Sequence, residues 1–201
     1  MNEPSRAIAE NLLQDAGRIN PGPWVQHSRF AAQAAEFLAA GHPDLDPETA
    51  YTFGLLHDIG RIDGVHGMRH GLDGYRWLQS LGYQGAARIS LTHSYPTKNA
   101  VEGASDWDGT AEEFIFIKEY LQKIEYTAYD HLIQLCDCIA QPTGFCIMEV
   151  RLVDVVRHYG FNPHTLTRWQ AYFAIKDEFE QVLGRSIYEG LPGLPENTLL
   201  H

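Results

Sequence analysis

Six ionisable side chains stand out by the company they keep. His27, the adjacent pair His57-Asp58, His70, His93 and Asp137 each fall within or at the end of a predicted helix. Four of the flanking stretches are mostly apolar: WVQHS, GLLHDIG, ISLTHS and LIQLCD. An ionisable group on an apolar helix face is costly unless it is paired or bound to a metal. Imidazole and carboxylate donors without thiolate suit iron, manganese, zinc, cobalt or nickel. His57-Asp58 is the sharpest pair. Adjacent residues on a helix lie about 100° apart, so a helix end can offer an imidazole and a carboxylate to one ion. Ile59 is then free to pack, and Gly60 is expected to let the chain turn sharply without crowding the site. A lone His-Asp dipeptide is often just a capped helix end, so its weight rests on the other four residues.

The elements that must position these side chains read as helices almost throughout. The pattern predicts helices over about 4–16, 23–40, 47–59, 67–81, 84–94, 110–122, 127–140, 147–159 and 163–184. Gly17, Gly41, Gly60 and Gly82 close the early ones, and Pro47 opens the third at a position that tolerates proline. The stretch 61–66 and the polar segment 95–110 (YPTKNAVEGASDWDGT) read as loops, the second as a long surface loop. The tail LPGLPENTLLH reads as irregular. With no run of alternating strands and no internal repeat, the expected fold class is all-α.

The motifs resemble those of the HD superfamily of metal-dependent phosphohydrolases. LLHDIGR resembles the family signature, HSRFAAQAAEFLA its first motif helix, and YDHLIQLCDCIA its late helix with two aspartates seven apart. The family order of His, His-Asp and a distant Asp is met by His27, His57-Asp58 and Asp137. Of the two late aspartates, Asp137 would be the ligand and Asp130 structural. HGLDGY and ARISLTHS resemble blocks of one branch, the symmetrical diadenosine tetraphosphate hydrolases. In dinuclear members two extra histidines bind a second metal, here His70 and His93. The resemblance spans about residues 23–140. It implies one HD domain over 1–201, a helical bundle with a C-terminal helical extension at about 147–184.

By this resemblance His27, His57, Asp58 and Asp137 hold one divalent ion, and Asp58 bridges to a second held by His70 and His93. The implied ions are iron, manganese or similar, with zinc, cobalt, nickel or magnesium as alternatives. The implied activity is hydrolysis of a nucleotide or another small phosphate ester by a metal-activated water, with His57 and Asp58 as catalytic residues. Arg61, just after the metal-binding turn, and Lys98, soon after His93, are the expected phosphate contacts. Arg29 and Arg69 are weaker ones. His66 is expected in a loop, and His42, His131, His158, His164 and His201 at the surface. The sequence also departs from the diadenosine branch. His70 follows His57 at a shorter spacing than that branch leads one to expect, and the tail after Asp137 is longer. Arg61 stands where the family often has lysine. Two other readings share the ligand set: an HD-fold diiron oxygenase cleaving a C–C or C–P bond, and a non-catalytic nucleotide-binding regulator.

Composition narrows the partners. The 201 residues carry 15 basic and 26 acidic side chains, a formal charge of −11, which disfavours binding to nucleic acid or to an anionic membrane surface. A small anionic substrate needs a local positive charge, which a bound metal can provide. No stretch is long and apolar enough for a membrane-spanning helix. The start MNEPSRAIAENLLQDAG has no apolar core of a leader peptide, and three cysteines make no disulfide framework. A cytoplasmic protein with reduced thiols is the expectation. Amphipathic C-terminal helices leave room for a homodimer.

Overall fold

A computed structural model describes residues 3–64 and 66–199. The described residues form helices α1 (Arg6–Ile19), α2 (Pro23–Ala39), α3 (Pro47–Leu56), α4 (His70–Ser80), α5 (Gln84–Thr92), α6 (Ala111–Lys123), α7 (Ala128–Asp137), α8 (Met148–Tyr159), α9 (Thr165–Leu183) and α10 (Leu194–Leu199). Short 3-10 turns occupy Ile59–Asp63 and Ala100–Glu102. Strands β1 (Ala140–Gln141) and β2 (Gly144–Phe145) pair antiparallel, Ala140 opposite Phe145. The fold is all-α apart from this hairpin. None of the described helices is long and apolar enough to cross a membrane.

Local chemistry sets the helix starts. Asp46 caps α3 by accepting from the Thr49 amide at 2.8 Å, with Pro47 in the first turn. Thr110 with Glu113 and Thr127 with Asp130 form capping boxes on α6 and α7. The starts of α3, α6 and α7 were therefore legible.

Several boundaries differ from expectation, each for a visible reason. Helix α1 runs through Gly17 to Ile19, because Gly17 serves close contact with Val25 of α2 and not a helix stop. Helix α3 ends at Leu56, and the chain tightens into the 3-10 turn, with the Arg61 amide on the Asp58 carbonyl at 3.0 Å. Helix α4 starts at His70, since Asp108 accepts from the Gly67 and Arg69 amides at 2.5 and 2.8 Å and holds the preceding turn. Helix α7 stops at Asp137, and the hairpin follows. Strands of two residues are too short to show alternation. The segment 95–110 is fastened down, not free: Tyr95 and Ala100 are buried, and Arg168 of α9 donates to the Gly103 carbonyl at 2.6 Å. The tail holds α10.

The main core gathers Leu13, Leu38, Leu55, Leu56, Leu132, Ile133 and Phe179 from α1, α2, α3, α7 and α9. A second cluster of Met68, Leu72, Leu91, Tyr95, Ile117 and Leu121 lies between α4, α5 and α6. Small residues set how near the helices come. A Cβ on Gly54 of α3 would stand 2.7 Å from the Ala32 Cα of α2. A Cβ on Gly60 would stand 2.0 Å from the His70 carbonyl oxygen of α4. Gly60 has no positive φ, so it serves close approach and not the sharp turn expected of it.

Candidate metal centre

The six residues singled out by their flanks converge, though His27 and Asp137 lie more than half the chain apart. His27 comes from the body of α2. His57 caps the end of α3 and Asp58 follows in the turn. His70 opens α4, His93 caps α5, and Asp137 is the last residue of α7. The C-terminal ends of α3, α5 and α7 thus meet at one point. Such ends carry partial negative charge and favour a cation.

Each imidazole is aimed by its own backbone contact. The Nδ1 atoms of His57, His70 and His93 lie 2.6, 2.5 and 2.8 Å from the carbonyls of Gly54, Gly67 and Ser90, three residues earlier in each case. His27 Nδ1 lies 3.2 Å from the Ala140 carbonyl of the hairpin. A carbonyl only accepts, so each Nδ1 carries the hydrogen and each Nε2 presents a lone pair. Those lone pairs face one another: His27 Nε2 to His57 Nε2 is 3.2 Å, and His70 Nε2 to His93 Nε2 is 3.1 Å. Asp137 Oδ1 is 3.0 Å from His27 Nε2, and Asp58 Oδ1 is 3.1 Å from His70 Nε2.

Protonation of His27 or His93 does not relieve this crowding. Burial pushes His27 below its usual range despite Asp137 beside it, and burial together with His57 and His70 pushes His93 down to about 3. Burial works against ionising the carboxylates, but their neighbours win. Positive charge on Arg61 holds Asp58 well below the carboxylate range, and Arg151 helps to hold Asp137 below it. Imidazole lone pairs therefore crowd against ionised carboxylates, with the Ser94 hydroxyl, 2.9 Å from His93 Nε2, as a hydrogen donor within reach. A cation among them resolves the conflict. Two donors each about 2.0–2.1 Å from one ion stand roughly 3 Å apart, which is the spacing found here.

The donors fall into overlapping groups. His27, His57 and Asp58 lie within 4.8 Å of one another, as do His57, His93 and Asp137, and Asp58, His70 and His93. Asp58 belongs to two groups. Its Oδ1 faces His70 and His93, while its Oδ2 lies 4.0 Å from His57 Nε2 and accepts from Arg61 Nε at 2.7 Å.

His27, Asp58, His70, His93 and Asp137 line a cavity of about 490 Å³, with His57 behind them. That volume falls within the range of roughly 300–1,000 Å³ common for small-molecule sites. Arg61 lines it with its Nε committed to Asp58. Lys98 does not. Its left-handed turn (φ 57°) sends Nζ to 3.5 Å from Glu125 and over the Tyr126 ring. Arg29 pairs with Glu10 and Arg69 with Asp73, both away from the cavity. His66 contributes its carbonyl to Arg61 and joins no donor group, and His201 lies outside the described residues. Asp130 is structural: it is fully buried and takes Thr127, Arg88 and Thr92, tying α7 to α5.

Sequence reasoning passed over another part of the cavity lining. Arg151, Asp154 and His158 of α8, with Trp169 and Tyr172 of α9, line the same cavity. The available signal was the recurrence of Arg151, Asp154 and His158 at i, i+3 and i+7, which puts three polar groups on one helix face. Periodicity shows that they share a face, not what the face looks upon. No curated protein and no solved structure is similar enough to match this chain. The family model described as HD domain matches residues 24–141, which is more than half of the chain and contains all six donors, and the protein belongs to that family.

Proposed function

We propose that this protein is a metal-dependent phosphohydrolase that cleaves a nucleotide or another small phosphate ester. The observation that carries the reading is the set of four inward Nε2 lone pairs packed against two ionised carboxylates. In this reading His27, His57, Asp58 and Asp137 would hold one ion, and His70 and His93, with Asp58, would hold a second. When bound, such ions polarise phosphoryl oxygens and acidify a bound water at neutral pH. The protein's own groups do the rest. The four backbone carbonyls on Nδ1 fix the imidazoles as donors. Asp58 and Asp137 accept hydrogen bonds from the water and orient it. Arg61 keeps Asp58 ionised and adds positive charge in the cavity.

The test combines metal content with activity. Protein prepared without chelator or affinity-tag nickel should carry about two ions per chain by elemental mass spectrometry. Phosphate release from a panel of phosphate esters should follow in that metal. His57→Ala and Asp58→Ala should each abolish release and lower metal content. Full activity and full metal in either variant would remove these residues from the site. Oxygen uptake without phosphate release would turn the reading toward an oxygenase.

A further inference from the structure

Three arginines line the cavity, and two are already occupied. Arg61 Nε serves Asp58, and Arg168 Nη1 donates to the Gly103 carbonyl and to Asn162 Oδ1 at 3.2 Å. Arg151 is different. Its Nε is buried with no hydrogen-bond partner among the described residues. Its Nη2 stands 3.7 Å from Asp137 Oδ1, and its Nη1 stands 3.7 Å from Asp154 Oδ2. Both distances lie beyond hydrogen-bond reach. Two carboxylates therefore hold the guanidinium in place electrostatically without filling its donors. A guanidinium offers five N–H donors in a rigid plane, and an unfilled buried donor is costly.

Nε is enclosed, so an acceptor that enters the cavity lined by Arg151 meets the outer Nη nitrogens. The position of Arg151 says which acceptor. The side chain is 24% exposed, toward a space it shares with Asp58, His70 and His93. An oxyanion seated on Arg151 lies beside Asp137 and hence beside the metal donors. It is the reacting group and not a remote one. A planar fork also matches two oxygens of a tetrahedral phosphoryl group.

We propose that Arg151 binds the reacting phosphoryl group through its non-bridging oxygens, beside Asp137 of the His/Asp cluster. This rests on the phosphohydrolase reading above. It also gives the C-terminal helices a part in the chemistry, since Arg151 lies on α8, outside the residues matched by the family model. The rival role for Arg151 is purely to support Asp137 as a ligand. The two roles differ in what the loss of the side chain does to metal content.

The experiment is calorimetric titration of inorganic phosphate into the full-length, metal-loaded protein. Wild type is compared with Arg151→Met, Arg151→Lys and Arg157→Gln. Arg157 is exposed on the same helix and does not line the cavity, so it controls for net charge. Phosphate affinity should fall tenfold or more in R151M. It should recover in part in R151K, which keeps the charge without the fork, and stay unchanged in R157Q. Metal content should be equal in all four. If R151M does not fold, R151K still reports, as a severalfold loss. Wild-type affinity in R151M, no phosphate binding by wild type, or a fall in metal that tracks the fall in affinity would each overturn the proposal. If phosphate binding depends on Arg151 while no phosphate ester is turned over, the anion site stands and the hydrolase reading falls. If turnover is the same in wild type and R151M, the hydrolase reading stands and the anion site falls.

Discussion

Asp130 and Asp137 sit two turns apart on α7, and their surroundings give them opposite work. Asp130 accepts from Thr127, Arg88 and Thr92, so its oxygens are filled by protein donors. Asp137 Oδ1 faces a histidine lone pair and an arginine at 3.7 Å. Asp130→Ala should destabilise the protein by about 1.5–3 kcal/mol, the usual cost of losing hydrogen bonds to a charged group. The folded fraction should keep its metal. Asp137→Asn should do the reverse, leaving the denaturant midpoint of the metal-free protein near wild type while metal content drops. Urea unfolding and elemental analysis on both variants check the contrast. Equal metal loss in the two would mean that α7 acts only as a scaffold. This distinction was half legible from sequence. Two-turn spacing puts both carboxylates on one face, but only packing shows that Arg88 claims the first of them.

At the scale of elements, the centre depends on how closely helix backbones approach. Gly54 sits against the backbone of Ala31 and Ala32, on the helix that carries His27, and its carbonyl aims His57. Gly54→Ala should force α3 away from α2, costing about 1–3 kcal/mol as an overpacked contact. It should also lower metal affinity more than a surface Gly→Ala does, measured as the chelator concentration that strips half the metal. Unchanged affinity would show that the helix pair can shift without moving its histidines. The helices themselves were readable because apolar residues recur at helical spacing and because caps such as Asp46 and Thr110 mark their starts. The hairpin was not readable. Two paired residues leave no period, yet Ala140 orients His27 through it. The contribution of α8 was hidden for another reason. MEVRLVDVVRHY shows an amphipathic helix, but what it faces depends on a chain path through the hairpin that no local pattern encodes.

For the whole molecule, buried and half-buried tyrosines weaken stability at alkaline pH. Burial raises Tyr51, Tyr120 and Tyr188 from their ordinary value to about 12. Their contribution is complete below pH 10, where both folded and unfolded chains keep the proton. As pH rises from about 10 to 12 the unfolded chain ionises first, so stability declines across that window. Urea midpoints and phenolate absorbance recorded across it should show folded tyrosines titrating late and unfolding bringing them on. Early titration in the folded protein would contradict their burial. Metal loading acts on the same balance in the opposite direction, adding about 2.7 kcal/mol when free metal is a hundredfold above its dissociation constant. A chelator should lower the melting temperature accordingly. The convergence of separate chain segments on one point has a further consequence. An ion held by the proposed ligands would work as a reversible crosslink between His27 and Asp137, closing the long loop of chain that runs from α2 to α7. Amide hydrogens at the ends of α3, α5 and α7 should then slow their exchange with solvent together when metal is added. Those of α1 and α10, which lie outside the loop, should keep their own pace.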